Sequence, residues 1–464
     1  MNKKNRITER RETPAVSPQD VTVTRETPSA PQDMADIGGC PAGGFGRRSV
    51  LQGVAVAGLA GVGGNLLGRG SLAGRGIRPN EVAVETVVSG NAFPFYGEYQ
   101  SGIITPPPPY RQQFSTYAAF NVTAANRGEL TDLFRTLTAR AAFLTAGGAA
   151  PSGPAGSPPA DSGILGPQIS ADGLTVTVSV GASLFDGRYG LASRKPAQLV
   201  TMEPFRHDDL DPAISDGDLL IQLCADHNDT AVHALLDISD NTSGALQPRW
   251  SISGFVNPPR PDGVPRDWFG FKDGIAQPDF TSTAQNNQYV WAQPDSGEPT
   301  WAAGGTYHVV RIIDFDVQKW QRVPVAEQER IFGRQKTSGA PTYAPDPGAN
   351  DEFDPIYTND PQGLLTALNS HIRLANPQTP QTFASSTILR RSYDFEQISL
   401  TGGAPLLGHA FTCYQRELSS YIDMQTRLED ELLVPYISPR GGGYFFAVPG
   451  VRDSQDYYAS GLLA

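Results

Sequence analysis

Leu174-Thr175-Val176-Thr177-Val178-Ser179-Val180 places four aliphatic side chains on one face and three hydroxyls on the other. Successive side chains of a strand point to opposite faces, so this alternation reads as a half-buried β-strand. Its neighbours narrow the fold. Before it, Leu130, Leu133, Phe134, Leu137, Ala141 and Leu144 recur at the three- and four-residue spacing of an amphipathic helix, which follows a candidate strand from Phe114 to Val122. After it come an apolar run from Leu219 to Cys224, a helical stretch carrying Val232, Leu235 and Leu236, and a strand through Trp250 and Ile252. Gly147 to Gly163, dense in Gly, Pro and Ala, is then a surface loop inside one folding unit.

That order, β-α-β-β-α-β, is the ferredoxin-like unit. It returns as a strand from Thr306 to Val317, a helix from Val325 to Phe332, strands from Ile388 to Phe395 and Ala410 to Tyr414, a helix marked by Leu418, Tyr421, Ile422, Gln425 and Leu428, and a last strand from Tyr444 to Val448. The sequence therefore predicts an α+β fold of duplicated ferredoxin-like units with antiparallel sheets, one over 79–290 and one over 291–464. Two such layers leave room between sheet and helices for a large apolar cofactor. The stretch from Gly333 to Thr387 is too long for an idle connection.

Residues 1–46, rich in Pro, Thr, Arg and Glu with hardly an aliphatic run, read as a disordered leader. Arg47-Arg48-Ser49-Val50-Leu51 heads a mildly apolar, glycine-diluted stretch, and 47–78 resembles a twin-arginine export signal with its linker. The stretch is too short and weakly apolar for a membrane span, and no integral span is expected in the mature chain. With 36 Lys and Arg against 48 Asp and Glu, the net charge of -12 argues against nucleic acid as a partner. Cys40, Cys224 and Cys413 are too few and too scattered for a disulfide framework or a thiolate zinc site.

The six histidines, His207, His227, His233, His308, His371 and His409, show no HExxH or paired spacing, which leaves a single axial histidine open. His371 stands in Ser370-His371-Ile372-Arg373-Leu374-Ala375-Asn376-Pro377 and, alone, reads equally as a helix-end histidine. Asp273 stands in Gly270-Phe271-Lys272-Asp273-Gly274-Ile275-Ala276-Gln277-Pro278, where Asp-Gly is first a turn signal. Arg390-Arg391 is most simply a solvated strand face.

Together these segments, with Phe95-Tyr96-Gly97-Glu98-Tyr99-Gln100-Ser101-Gly102-Ile103, Tyr189-Gly190-Leu191-Ala192, Ile331-Phe332-Gly333-Arg334, Ser338-Gly339-Ala340-Pro341, Ile388-Leu389-Arg390-Arg391 and Gly441-Gly442-Gly443-Tyr444-Phe445-Phe446, resemble the dye-decolourising peroxidase family. The likeness covers most of the mature chain and is strongest to the exported class associated with bacterial iron uptake. It implies an exported, periplasmic or extracellular peroxidase with haem b (iron protoporphyrin IX), which reduces hydrogen peroxide and oxidises dyes, phenolics or similar organic reductants. Bulky donors would pass electrons through surface Tyr or Trp residues.

The resemblance also assigns roles. His371 would be the axial ligand of the haem iron. Asp273 would be the distal acid-base group and Arg390 the cation that holds peroxide and stabilises developing charge. Arg334 would pair with a haem propionate, and Phe411 would lie over the distal face. A carboxylate orienting His371 is expected on physical grounds, and Glu417 is the candidate. Two positions depart from the family: Tyr99 stands where a His is usual, and His409 stands where an aliphatic is expected. The simplest place for His409 is a surface or strand end. Two rivals remain: a haem-binding iron-acquisition protein whose peroxidase activity is incidental, and a cofactor-free exported binding module. An oligomer is compatible with either.

Overall fold

The first unit runs β1 (Phe114–Val122), α1 (Arg127–Ala146), β2 (Thr175–Gly181), β3 (Leu219–Ala225), α2 (Asn228–Thr242) and β4 (Leu246–Phe255). The computed structural model describes residues 91–464 apart from 108–109, 155, 158, 345–354 and 399–401, so the 1–46 leader and the 47–78 signal lie outside the described residues. Asn126 starts α1: its Oδ1 accepts the Glu129 N–H at 3.0 Å while Glu129 Oε2 accepts the Ala125 N–H at 2.8 Å, so otherwise orphaned donors are satisfied at the helix start. The strands pair antiparallel in the order β2-β3-β1-β4.

The second unit repeats the plan with β5 (Thr306–Phe315), α3 (Val325–Phe332), α4 (His371–Ala375), β6 (Leu389–Arg390), β7 (Tyr393–Gln397), β8 (Leu406–Gln415), α5 (Leu418–Leu428) and β9 (Ile437–Ala447). Its order is β9-β5-β8-β7, with β6 also on β8, so in each unit the fourth strand lies beside the first, then the third, then the second. The predicted α+β duplication is the observed architecture. The sheets also join at both edges: β9 pairs with β2 from Phe445↔Gly181 to Ala447↔Ser179, and β4 meets β7 at Phe255↔Asp394. The result is a closed ring of strands, which protects edges that would otherwise offer unpaired backbone groups. Tyr117, Trp250, Ile312, Tyr393, Phe395 and Phe445 belong to a single apolar cluster with strands from both units. Thr412 Oγ1 donates to the Tyr117 hydroxyl at 2.8 Å and links the halves through the same interior.

Three expectations change in detail. On α2 the buried face is Ala231, Ala234 and Ile238; Val232, Leu235 and Leu236, at i, i+3 and i+4, share the adjoining face, which the helix turns toward its rim, and Leu236 is 41% exposed. The strand from Ile388 breaks after Arg390. Arg391 turns inward there and donates to Ile103 O at 3.0 Å and Gln112 Oε1 at 2.9 Å, so it is a buried tie rather than part of a solvated face. The strand from Thr306 stops at Phe315, where the Asp316 carboxylate accepts the Lys319 N–H at 2.9 Å and starts a helical turn.

The part of the long segment from 360 to 373 is pinned in place. Asp360 accepts N–H groups of Leu364 at 2.7 Å and Thr366 at 2.8 Å, and Arg373 of α4 donates to its Oδ2 at 3.0 Å. At the end of α3, Gly333 has φ +85°, and a Cβ there would lie 2.7 Å from Ile372 and 2.9 Å from Ser370. Glycine thus lets the start of α4 come directly against α3.

Candidate active site

A cavity of about 440 Å³ lies between the outer face of β5 and β8, the helices α3, α4 and α5, and the 267–278 segment. Its walls include each of the five residues singled out above, Asp273, Arg390, His371, Arg334 and Phe411, and also His409. The volume is within the range of small-molecule and cofactor sites, about 300–1,000 Å³.

The 267–278 segment is fixed by aromatic packing and a tight turn. Phe269 stacks on Phe315 of β5 with centroids 4.2 Å apart, and Phe271 stacks on Phe332 of α3 at 4.0 Å. Asp267 Oδ1 accepts the Phe271 N–H at 3.0 Å, and Gly270 takes φ +83° at the turn. Asp273 follows, its N–H donating to Pro265 O at 2.9 Å. Downstream, the Gln277 amide grips the backbone of Arg390 at both ends, accepting its N–H at 2.9 Å and donating to its carbonyl at 2.8 Å. Arg390 Nη1 then meets Asp273 Oδ1 at 2.6 Å. Burial pushes the Asp273 carboxyl up, but the Arg390 guanidinium, His409 and Arg111 outweigh it and hold its pKa at about 2. The Asp-Gly turn and the strand arginine, unremarkable alone, are one ion pair.

His371 is the first residue of α4, beside Phe332 at a ring separation of 5.7 Å. Its Nδ1 lies 2.5 Å from Glu431 Oε2. Burial pulls the imidazole down, yet the Glu431 carboxylate more than offsets this and its pKa stands above the ordinary 6.5. Glu431 is therefore the carboxylate that orients this ring, and the expectation for Glu417 is corrected: Glu417 is exposed at the N-cap of α5. Chain direction explains the difference, since α5 runs away from Glu417 and its far end returns to α4. Arg427 marks that return, donating to Leu374 O at 2.9 Å and Ala375 O at 3.1 Å.

Arg334 is buried just after Gly333 and donates from Nη1 to Gly339 O at 2.8 Å. Phe411 faces Tyr421 of α5 across 6.0 Å. The surface or strand-end expectation for His409 is overturned: its side chain is only 12% exposed, with Nδ1 2.8 Å from Asp394 Oδ1 and Nε2 3.7 Å from Asp273 Oδ2. Sequence reasoning also missed Asp267, Asp394 and Glu431. Asp394 becomes visible only in the register that sets it opposite His409, and Glu431 is one of three consecutive acids after α5.

A family model described as Dyp-type peroxidase, N-terminal, matches residues 100–256, and one described as Dyp-type peroxidase, C-terminal, matches 264–452. A deferrochelatase of Escherichia coli (strain K12) is 47% identical over 377 residues, covering 80% of this chain and 87% of that protein. A DyP-type peroxidase from Cellulomonas bogoriensis superposes with a TM-score of 0.69 at 31% identity, covering 81% of this chain and 99% of that one. Ferric DtpA from Streptomyces lividans gives 0.70 at 28% identity, covering 81% and 98%.

Proposed function

The chain belongs to the Dyp-type peroxidase family and is a haem b peroxidase, and on that premise we propose that it is exported, binds haem through His371 and reduces hydrogen peroxide with Asp273 and Arg390. The observation that carries the site assignment is that two polar pairs, His371–Glu431 and Asp273–Arg390, line one cavity.

The wall suits such a group. His371 gives Nδ1 to a buried carboxylate and keeps Nε2 for a metal, the usual division in a metal-bound imidazole. Arg334 and Arg311 stand in the same wall; Arg311 is ion-paired with Asp208 through Nη2 but keeps a buried Nε without a hydrogen-bond partner, a donor that fits a ligand with an anionic edge. Bound haem supplies the redox chemistry, accepting the oxidising equivalents of peroxide and passing them to one-electron donors. Glu431 fixes the His371 ring and raises its basicity. Asp273, whose carboxyl the Arg390 guanidinium holds at a pKa of about 2 and so ionised at neutral and mildly acidic pH, accepts the proton that peroxide loses and returns it to the departing oxygen. Arg390 holds that carboxylate in position and balances the charge that develops as the O–O bond breaks. Dyes and phenolics too large for the cavity would be oxidised at surface Tyr or Trp residues.

The 47% identity to a protein named deferrochelatase favours a second reading, removal of iron from haem. Purified protein given peroxide and a phenol, and separately haem and an iron chelator without oxidant, distinguishes the two. Turnover in the first with no free porphyrin in the second is expected. Porphyrin released without oxidant, with weak turnover, would replace the peroxidase reading. Export is tested by changing Arg47 and Arg48 to Lys, which should leave folded, haem-loaded protein in the cytoplasm. Continued export of that variant would reduce the pair to a basic patch.

A further inference from the structure

Behind Asp273 the same cavity wall holds a second charge array. His409 projects from β8 on the cavity face, between Asp394, its register partner on β7, and Asp273 of the 267–278 segment. Its ring lies near-parallel to Phe315 of β5, 18° between planes and 5.9 Å between centroids, which limits rotation. One nitrogen is committed: Nδ1 meets Asp394 Oδ1 at 2.8 Å, leaving Nε2 toward Asp273 Oδ2. Asp273 is thus addressed on both oxygens, by Arg390 on Oδ1 and by the imidazole on Oδ2.

We propose that His409 is a positioning residue for Asp273, its imidazolium held by Asp394 and supplying the positive charge that keeps Asp273 ionised and fixed when the surrounding pH is low. The proposal rests on the acid-base role given to Asp273 above. The neighbouring groups give it a charge rationale. Asp394, Asp273 and Asp267 are the carboxylates acting on the imidazole, while β5 contributes the uncharged Ile313 and Phe315. Arg390 acts on Asp273, and Arg111 on Asp273 and Asp394, while burial and the neighbouring carboxylates push Asp267 up to about 7, so on the acid side it is neutral. Without the imidazolium, Asp394 would keep only Arg111 as an opposite charge, and Asp273 would lose its cation on Oδ2. Burial pulls the His409 pKa down, but Asp394, Asp273 and Asp267 together set it above 6.5, so the charged form prevails on the acid side.

The test compares haem-loaded wild type, His409→Leu, His409→Lys and Asp273→Asn by stopped-flow mixing with peroxide across the acid range, and by melting temperature against pH. An opposite charge within a few ångströms lowers a carboxylate pKa by about one unit or more. His409→Leu should therefore move the acid limb of the peroxide reaction up by about one unit, a roughly tenfold loss of rate on that limb, and His409→Lys should bring it back. The melting readout is independent of turnover. A raised histidine pKa contributes stability that is present below the unfolded value and lost as pH rises through the folded one, so wild type should lose melting temperature across that window more steeply than His409→Leu. His371 and His227, also raised, are common to both proteins and cancel in the difference. Should His409→Leu fail to fold, His409→Gln removes the charge while keeping an N–H for Asp394. An acid limb that neither Leu nor Gln moves, with Asp273→Asn still slow, overturns the proposal and leaves the role of Asp273 standing. If Asp273→Asn reacts at the wild-type rate, that role and the proposal fail together.

Discussion

His371→Ala loses most of its haem, or retains it with an altered Soret spectrum that added imidazole restores, because the imidazole proposed to bind the iron is gone. His308→Ala provides the contrast. His308 is buried on β5, its ring 4.4 Å from Tyr414 and its Nδ1 2.9 Å from Ser179 Oγ, away from the cavity wall, and its loss should leave the spectrum unchanged. Glu431→Gln is the intermediate case. It keeps a hydrogen-bond acceptor for Nδ1 but removes the charge, and orienting carboxylates of this kind typically contribute about 10- to 100-fold in affinity or activity. Haem titration of the apoprotein and absorption spectra of the three variants check the order. Full haem retention with an unaltered spectrum in His371→Ala would reject the ligand assignment.

Much of the architecture was legible because it repeats. Strict alternation at Leu174–Val180 and helical spacing at Leu130–Leu144 each specify one element, and their order recurring in the second half constrains the sheet topology. Closure of the two sheets into a ring was not legible, since it depends on edge pairings such as Phe255↔Asp394 that join residues far apart in sequence. The same limit divides the site. Asp273, Arg390 and His371 stand in local motifs that could be found by reading along the chain. Their partners Glu431, Asp394 and His409 are brought in by tertiary return of the chain: α5 folding back on α4, and the β7–β8 hairpin register. Composition could not separate Glu431 from Glu429 and Asp430, or Glu417 from any other exposed acid. The place of His409 in the cavity wall became visible only in its register opposite Asp394, whereas its own segment, Leu407-Gly408-His409-Ala410-Phe411, has no polar neighbour to signal it.

Asp273→Asn keeps the shape of the carboxylate but cannot take a proton, and a general acid-base group typically contributes about 10²- to 10⁴-fold, so the reaction with peroxide should slow within that range while haem stays bound. Arg390→Leu should act differently. Burial favours the neutral acid and Arg390 is the largest opposing influence on Asp273, so its removal raises that pKa from about 2 and moves the acid limb to higher pH, in addition to slowing the step at every pH. Stability should follow the same linkage. A depressed carboxylate pKa contributes stability present above its unfolded value, about 3.9, and lost as pH falls toward about 2, so Arg390→Leu should narrow the acid tolerance of the fold as well as of the reaction. Stopped-flow mixing with peroxide across pH, followed at the Soret band, separates the roles. If Asp273→Asn reacts at the wild-type rate and Arg390→Leu does not, the guanidinium is the principal group and Asp273 serves to hold it. If both react at the wild-type rate, the pair is a structural tie between the 267–278 segment and β6, and the iron-removal reading gains the ground that the peroxidase mechanism loses.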